Sequence, residues 1–389
     1  MLLIRNGRVL LANGKIIRTD LLIEHGRIKK IERVRTGGQK QIPDINAAGC
    51  YVLPGLIDIH THGIGYESVN SSLKAYAELE AAHGTTTFYP TFFGPPDESC
   101  ALMRRHLRET QDLKDTPQIG GFRLESPYLA KSGGGLDTDL ANISKETTNR
   151  LIKAGGGFIK IWDISPELPH AEETIRFLSA HGIICSLAHT AASIEKTKAV
   201  VNAGARLVTH MFDTFAIPKE TDGGVYPVGL IDYLLMEDRV ACEIIADGTH
   251  VHPLLIAKTM RCKPAEKVIF ITDGSFGAGL PAGKYVLPNT LEKIRISGPN
   301  NGVRLIDRDM GLAGSALTPL DVFRNAIQLF GKDMAAASGL CSRNPALLLN
   351  LNKGEIGVGR DADLIILTPE LELTHTIVGG KVLHANSAL

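Results

Sequence analysis

The sequence lacks the features by which several protein classes are recognised. Its 42 basic and 42 acidic side chains balance, and neither sign forms a long run, so nothing indicates a nucleic-acid or anionic-membrane partner. The six cysteines contain no CxxC pair, which favours reduced core thiols over a disulfide framework or a zinc knuckle. No apolar run approaches the roughly 20 residues of a membrane span, and Arg5 and Arg8 interrupt the first apolar stretches. We therefore predict a soluble cytoplasmic protein that binds a small molecule.

The length and the order of apolar segments predict one large and one small domain. A chain of 389 residues exceeds the roughly 150 residues of an average domain but fits an α/β barrel with a small addition. The pattern of residues 1–50 predicts short strands with Asn-Gly and His-Gly turns. Residues 354–383 show the same alternation of β-branched residues and glycine turns. We predict a small β-sandwich domain formed by both chain ends, 1–53 and 345–389, and a catalytic domain at 54–344.

The middle of the chain repeats an apolar strand, a glycine-marked loop and a helix. Helices are indicated at 171–182 and 193–205, the second with Ser193 as its N-cap and Gly204 near its end. This alternation predicts an α/β fold of the (β/α)8 TIM barrel type. The strand candidates are 52–60, 85–91, 119–125, 158–165, 183–190, 206–212, 240–248 and 267–274.

The segment VLPGLIDIHTHG (52–63) ends the first of these strands with a pair of histidines. Alternate residues of an extended strand point to the same side, so His60 and His62 aim both imidazoles at one point. Reactive groups of such barrels sit at the carboxyl ends of the strands. Residues of metal-ligand or acid/base type end nearly every predicted strand: His60, His62, Glu125, His189, His210, Asp247, His250 and Asp273.

This set of side chains predicts hydrolysis by metal-activated water. A divalent ion held by imidazole and carboxylate groups lowers the pKa of water from 15.7 towards about 7 and polarises a carbonyl oxygen. Asp273 ends the last predicted strand and is the natural proton carrier from the attacking water to the leaving amine. We therefore expect an enzyme that uses one or two divalent ions, with Asp273 as its general base and acid.

Longer motifs surround these residues: HTHG (60–63), LESPYLA (124–130), SLAHTAAS (186–193), VTHMFDTF (208–215), ADGTHV (246–251), ITDG (271–274), GLAGSALTPLDVFRN (311–325) and NPALLLNLNKGEIGVGRDADLIIL (344–367). In order and spacing they resemble the N-acetylglucosamine-6-phosphate deacetylases of the amidohydrolase superfamily. The resemblance covers nearly the whole chain. It implies metal-dependent removal of the acetyl group from an N-acetylated amino sugar, with N-acetylglucosamine 6-phosphate as the expected substrate.

The resemblance also implies a role for each metal-ligand candidate. Glu125, His189 and His210 match the ligands of the better-held ion. His60 and His62 would serve a second ion, with Glu125 able to bridge and Asp273 completing the site. Zinc is the expected ion, although iron or another transition ion would accept the same ligands.

The substrate contacts of the family are matched only in part. The loop 131–140 has no counterpart of a substrate-contacting histidine, and the loop 216–229 lacks the phosphate-binding arginine that a partner subunit supplies in a homodimer. Lys219 is the one cation of the second loop, and a lysine lacks the two-pronged geometry of a guanidinium. The positions that match substrate contacts are His250, Asp213, Thr214, Leu312, Ala313 and Gly314.

Three alternative functions stay open from the sequence. The substrate could be an unphosphorylated sugar or another N-acyl amine, because Asp213 would repel a phosphate. Hydantoinases and dihydroorotases bridge their metals with a carboxylated lysine on the fourth strand, where this chain has Lys160, and that resemblance implies a cyclic amide as substrate. A barrel that has lost catalysis and serves as a binding module is the third.

Overall fold

The computed structural model describes residues 1–33, 43–113, 116–134, 140, 142–219, 222–288 and 291–386. Eight parallel strands in this part of the chain form a barrel in which each strand pairs with the next. The amide of Asp273 donates to the His60 carbonyl at 3.0 Å, and the amide of His62 donates to the Gly274 carbonyl at 2.8 Å, which closes the barrel between its last and first strands. The predicted (β/α)8 barrel is confirmed, with strands Leu56–Thr61, Thr85–Phe92, Phe122–Leu124, Ile159–Ile164, Ile184–Leu187, Leu207–Val208, Ala241–Ile245 and Val268–Ile271.

Burial on both faces explains why these strands read as apolar runs. All eight residues of Thr85–Phe92 are buried, because the barrel interior covers one face and the helices cover the other. The predicted helix after Ser193 spans Ile194–Ala203, and the Ser193 hydroxyl accepts from the Lys196 amide at 3.3 Å. The α-helices are Leu73–Ala82, Pro96–Asp112, Lys145–Gly155, Ala171–Ala180, Ile194–Ala203, Leu230–Met236, Pro253–Cys262, Pro319–Gln328, Met334–Ser338 and Asn344–Leu348, with shorter helical turns at Ala265–Lys267, Pro299–Asn301 and Gly339–Arg343. Within the described residues, none of these helices has the length and apolarity to cross a bilayer.

Strands from both chain ends pair in a single separate sheet. Leu364–Leu367 lies antiparallel to Tyr51–Pro54, which joins the two ends, and Val9 and Leu21 belong to an apolar core distinct from that of the barrel. The helix Asn344–Leu348 contributes Ala346 to the barrel core, so the exact division at residues 344 and 345 stays a prediction. The strands of this sheet are Leu2–Leu10, Ile16–Glu24, Arg27–Ile31, Asp44–Asn46, Tyr51–Pro54, Leu364–Leu367, Leu373–Val378 and Lys381–Ala385.

A small antiparallel sheet follows the last barrel strand and was not predicted. Its strands are short and partly exposed, so they lack the long apolar runs by which the barrel strands are recognised. The sheet carries Leu312 to the carboxyl ends of the barrel strands. Its strands are Gly283–Val286, Lys293–Ile296, Val303–Leu305 and Gly311–Leu312, and the remaining short strands are Gly63–Ile64, Glu67–Ser68 and Gln118–Ile119.

Candidate metal centre

Glu125 lies between two pairs of histidines at the carboxyl ends of the barrel strands. Its Oε1 is 3.0 Å from Nε2 of His189 and 3.2 Å from Nε2 of His210. Its Oε2 is 2.9 Å from Nε2 of His62 and 3.5 Å from Nε2 of His60. One carboxylate therefore presents one oxygen to each pair, which is the arrangement of a carboxylate that can bridge two ions.

Asp273 completes the side of the centre that contains the first strand. Its Oδ1 is 3.4 Å from Nε2 of His60 and 3.5 Å from Nε2 of His62. Two sets of donor atoms lie within 4.8 Å of one another, one from His60, His62 and Asp273 and one from His60, Glu125 and His210. The structure thus brings together all six predicted metal ligands.

Three of these residues adopt backbone conformations that non-glycine residues rarely use. The φ angle is 47° at His189, 23° at His210 and 47° at Asp273. Such residues cost about 1–3 kcal/mol each, so they persist only where the surrounding structure fixes them. Each lies two positions beyond the end of a buried barrel strand, in the turn that follows it.

The pKa values of the histidines and of Glu125 indicate that the carboxylates of the centre favour a positive charge beside them. Burial acts to lower the pKa of His62, but hydrogen bonds to Asp273 and Glu125 outweigh burial and raise this pKa to about 10. Burial also opposes protonation of His210, yet Glu125 and Asp213 raise its pKa to about 10. Although burial raises the pKa of the Glu125 carboxyl, its histidine neighbours hold this pKa well below the usual range. A bound divalent cation would provide the positive charge that protonated His62 and His210 otherwise provide.

The donor set fits a transition ion. Nε2 of His60 is fully buried and makes no hydrogen bond within the described residues, although it faces the carboxylates of Glu125 and Asp273. A buried imidazole nitrogen without a partner is costly unless it binds something. Imidazole nitrogens with carboxylate oxygens are the ligands that zinc and iron accept.

A cavity of about 730 Å³ opens over the centre and contains most of the predicted substrate contacts. The side chain of His250 is held in place by Asp247, whose Oδ2 accepts from His250 Nδ1 at 2.6 Å. Gly133 and Gly134 of the loop 131–140 also line the cavity, while residues 135–139 of that loop lie outside the described residues. The predicted contacts that line it are His250, Asp213, Thr214, Leu312, Ala313 and Gly314.

Lys219 and Lys160 lie away from this cavity. Lys219 is exposed and does not line the cavity, so the structure does not bring it together with the other predicted contacts. Lys160 donates to the Gly157 carbonyl at 3.0 Å, near the start of its strand, whereas the metal-ligand candidates follow the carboxyl ends of strands. Neither lysine lines the cavity of its own subunit.

Several charged residues at the site were not predicted from the sequence. Arg308, in the turn between the strands Val303–Leu305 and Gly311–Leu312, lines the cavity and donates to Oε1 of Glu292 at 2.7 Å. Arg123, Asp163 and Glu243 form a buried ion cluster below the centre. Charged residues at alternate positions of otherwise apolar strands were the available signal, because such residues are rarely buried unless they are paired.

The whole chain is similar in sequence and structure to proteins of known activity. It is 28% identical to N-acetylglucosamine-6-phosphate deacetylase of Lysinibacillus sphaericus, over 98% of this chain and 97% of that protein. It is also 28% identical to the Homo sapiens enzyme of the same name, over 96% of this chain and 93% of that protein. A structure of the Mycobacterium smegmatis deacetylase in complex with N-acetyl-D-glucosamine-6-phosphate superposes with a TM-score of 0.84 and 25% identity, covering 98% of this chain and 99% of that one.

The family model gives the classification directly. The model of the Amidohydrolase family matches residues 51–383, which include the barrel and every metal-ligand candidate. With the relatives described above, this match makes the protein a metal-dependent hydrolase that acts on C–N amide bonds of a small-molecule substrate. The chain belongs to the Amidohydrolase family.

Proposed function

We propose that this protein removes the acetyl group from N-acetylglucosamine 6-phosphate by hydrolysis of its amide bond. The observation that carries the proposal is the position of Glu125, which faces two histidine pairs at the floor of the cavity, with Asp273 beside one pair. The cavity above them is lined by the positions that match the family's substrate contacts. The named relatives act on the same substrate.

We propose a binuclear zinc centre. Glu125, His189 and His210 would hold one ion, and His60, His62 and Asp273 would hold the other, with Glu125 shared between them. When bound, such ions lower the pKa of water and polarise a carbonyl oxygen. The two oxygens of Glu125, each directed at a different histidine pair, support a pair of ions over a single ion.

Asp273 is proposed as the group that moves the proton. Burial raises the pKa of its carboxyl, but the neighbouring His60 and His62 lower this pKa to about 2, so Asp273 is ionised, which is the protonation state that a general base requires. It takes the proton of the attacking water and then gives it to the nitrogen of the leaving amine. His250, fixed by Asp247, is placed to hold the sugar through its other ring nitrogen.

We propose Arg308, in place of Lys219, as the cation that receives the 6-phosphate. Among the lining residues that the structure describes, Arg308 is the one with a permanent positive charge. A guanidinium can contact two phosphate oxygens at once. Glu292 accepts from both Nε and Nη2 of Arg308, which fixes the plane of this guanidinium.

An unphosphorylated N-acyl amine is the second candidate substrate, and a specific observation favours it. The carboxyl group of Asp213 lines the cavity, and Glu292 offsets the charge of Arg308. Both carboxylates weaken the attraction of the cavity for an anion.

We also propose that the protein is a cytoplasmic homodimer. The loop 216–229 and the two helices that follow it expose large apolar side chains, and such side chains in one region of a surface are typical of a protein interface. All six cysteines are free thiols, which fits a reducing compartment. The exposed apolar residues are Ile217, Tyr226, Val228, Met236 and Leu254, each more than two-thirds exposed.

The test is a comparison of N-acetylglucosamine 6-phosphate with N-acetylglucosamine, using zinc-replete enzyme and an Asp273→Asn control. We expect kcat/KM of about 10⁴ M⁻¹s⁻¹ or more for the phosphorylated sugar. The control should lose at least about 100-fold, the usual contribution of a positioned proton carrier. Preference for the unphosphorylated sugar would select the second candidate, and full activity of the control would reject the role of Asp273.

A further inference from the structure

A buried ion cluster lies directly beneath the proposed metal centre. Arg123 is 0% exposed and donates to both oxygens of Glu243, at 2.5 and 3.0 Å. Its guanidinium also donates to Asp163, at 3.0 and 3.1 Å. The remaining contacts are to the Thr209 hydroxyl and the Ile59 carbonyl, each at 3.0 Å. The five residues come from five barrel strands or the positions next to them, so the cluster links the strands that precede or carry His60, Glu125 and His210.

One member of the cluster also touches a metal-ligand candidate. Oε2 of Glu243 is 3.4 Å from Nδ1 of His60, and both side chains are fully buried. The other ring nitrogen of His60, Nε2, faces Glu125 and Asp273. A proton on Nδ1 directed at Glu243 leaves the lone pair on Nε2, which is the tautomer that a metal requires.

His60 differs in this respect from the other histidines of the centre. Nδ1 of His62 lies 3.0 Å from the Thr91 carbonyl, which is a neutral partner. Nδ1 of His189 and Nδ1 of His210 have no hydrogen-bond partner among the described residues. Among these four histidines, His60 is therefore the one whose Nδ1 contacts a buried carboxylate, Glu243, that is not itself a metal-ligand candidate.

The charge of the cluster favours a cation beyond His60. One guanidinium faces two carboxylates, so the ionised cluster carries one uncompensated negative charge in the buried interior of the barrel. A negative charge behind an imidazole makes its far nitrogen a better donor to a metal. Arg123 offsets enough of the charge of Glu243 for that carboxylate to remain buried.

We propose that Glu243 is a positioning residue for the metal centre, acting through Nδ1 of His60, and that Arg123 holds Glu243 in place for this role. The inference rests on the proposed function, because it concerns the ion that His60, His62 and Asp273 would hold. Metal retention at this half of the centre then depends on a carboxylate that touches neither metal nor substrate.

The test compares two variants that remove the same charge from the cluster. Glu243→Gln and Asp163→Asn each replace a carboxylate that faces Arg123 with its amide, but only Glu243 contacts His60. The zinc content of each purified protein is measured, and its zinc affinity is determined by competition with a chelator. Thermal unfolding of the chelator-treated proteins reports the structural cost of each substitution.

We expect Glu243→Gln to weaken zinc binding at one of the two sites by about 10- to 100-fold, as for other partners of ligand histidines. Asp163→Asn removes the same charge without a contact to His60, so it should weaken zinc binding clearly less than Glu243→Gln does, while lowering the unfolding temperature of the chelator-treated protein about as much as Glu243→Gln does. Equal losses of zinc affinity in both variants, or unchanged affinity in Glu243→Gln, would overturn the proposal.

A second variant covers the case in which Glu243→Gln does not fold. Glu243→Asp keeps the charge opposite Arg123 but withdraws the carboxylate from His60 by one methylene group, and we expect the same loss of zinc. Wild-type zinc affinity in Glu243→Asp would reject the inference. A wild-type protein that binds no divalent ion would instead reject the proposed function, so the two failures are distinct.

Discussion

Arg308 is the residue at which the proposed substrate specificity can be tested most directly. We expect Arg308→Gln to raise KM for N-acetylglucosamine 6-phosphate by about 10- to 100-fold, because hydrogen bonds to a charged group contribute roughly 1.5–3 kcal/mol. KM for the unphosphorylated sugar should change little. Steady-state kinetics with both sugars provide the measurement.

Lys219→Gln is the matched comparison for that prediction. Lys219 is exposed and lies outside the cavity lining, so its substitution should raise KM for the phosphorylated sugar much less than Arg308→Gln does. A larger effect of Lys219→Gln would restore the interpretation based on the sequence and would place the phosphate near the loop 216–229.

At the scale of the element, the helix Leu73–Ala82 carries a buried carboxyl that should make stability depend on pH. Burial and the nearby Asp58 raise the pKa of Glu80 from 4.5 to about 8, although the Thr85 hydroxyl donates to it at 2.7 Å. The folded state thus holds a proton that the unfolded chain releases at a lower pH. The contribution of Glu80 to stability is complete below about pH 4.5 and is lost as the pH rises to about 8.

We predict that Glu80→Gln removes this dependence. The free energy of unfolding of the wild type should fall relative to that of the variant by up to about 1.4 kcal/mol per pH unit between the two pKa values. Urea unfolding at several pH values from 5 to 8 gives the measurement. Glu78→Gln is the control, because Glu78 lies on the same helix with a side chain that is 60% exposed, and parallel pH curves for Glu80→Gln and wild type would contradict the prediction.

At the scale of the whole molecule, Lys353 connects the barrel to the sheet formed by the chain ends. Its ammonium is buried and contacts Asp363 next to the chain-end sheet, together with Thr87 and Gln118 of the barrel. We expect Lys353→Met to lower the free energy of unfolding by about 3–5 kcal/mol, because Asp363 would keep a buried charge without its partner. Denaturant unfolding tests this, and the double variant with Asp363→Asn should recover much of the loss.

The proposed dimer predicts a change of mass in solution. Ile217 and Tyr226 are 86% and 87% exposed, so replacing both with lysine should leave the fold intact and shift the protein from dimer to monomer. Sedimentation velocity measures the mass. Val358→Lys is the control, because Val358 is 67% exposed in a different region of the chain. A wild-type monomer at micromolar concentration would contradict the proposal.

The barrel and the ligand candidates could be predicted because each depends on residues that are close together in the sequence. Strands buried on both faces are continuous apolar runs, and the residue type that ends each run carries the chemistry. His60 and His62 share a face by the geometry of one strand alone. Motif spacing added the resemblance to a family, and with it the assignment of Glu125, His189 and His210 to one ion.

The buried ion pairs and the charged lining of the cavity could not be predicted from the sequence, because they depend on contacts between distant segments. The pairing of Arg123 with Asp163 and Glu243 joins residues 40 and 120 positions apart, and nothing in one strand specifies the partner on another. Arg308 reaches the cavity only because a small sheet with no clear strand pattern folds over the barrel. The class of chemistry and the ligand candidates could be read from the sequence, since both follow from the residues at strand ends. The charges that surround the substrate and the metal centre were decided by packing, since long-range burial and ion pairing have no local signature.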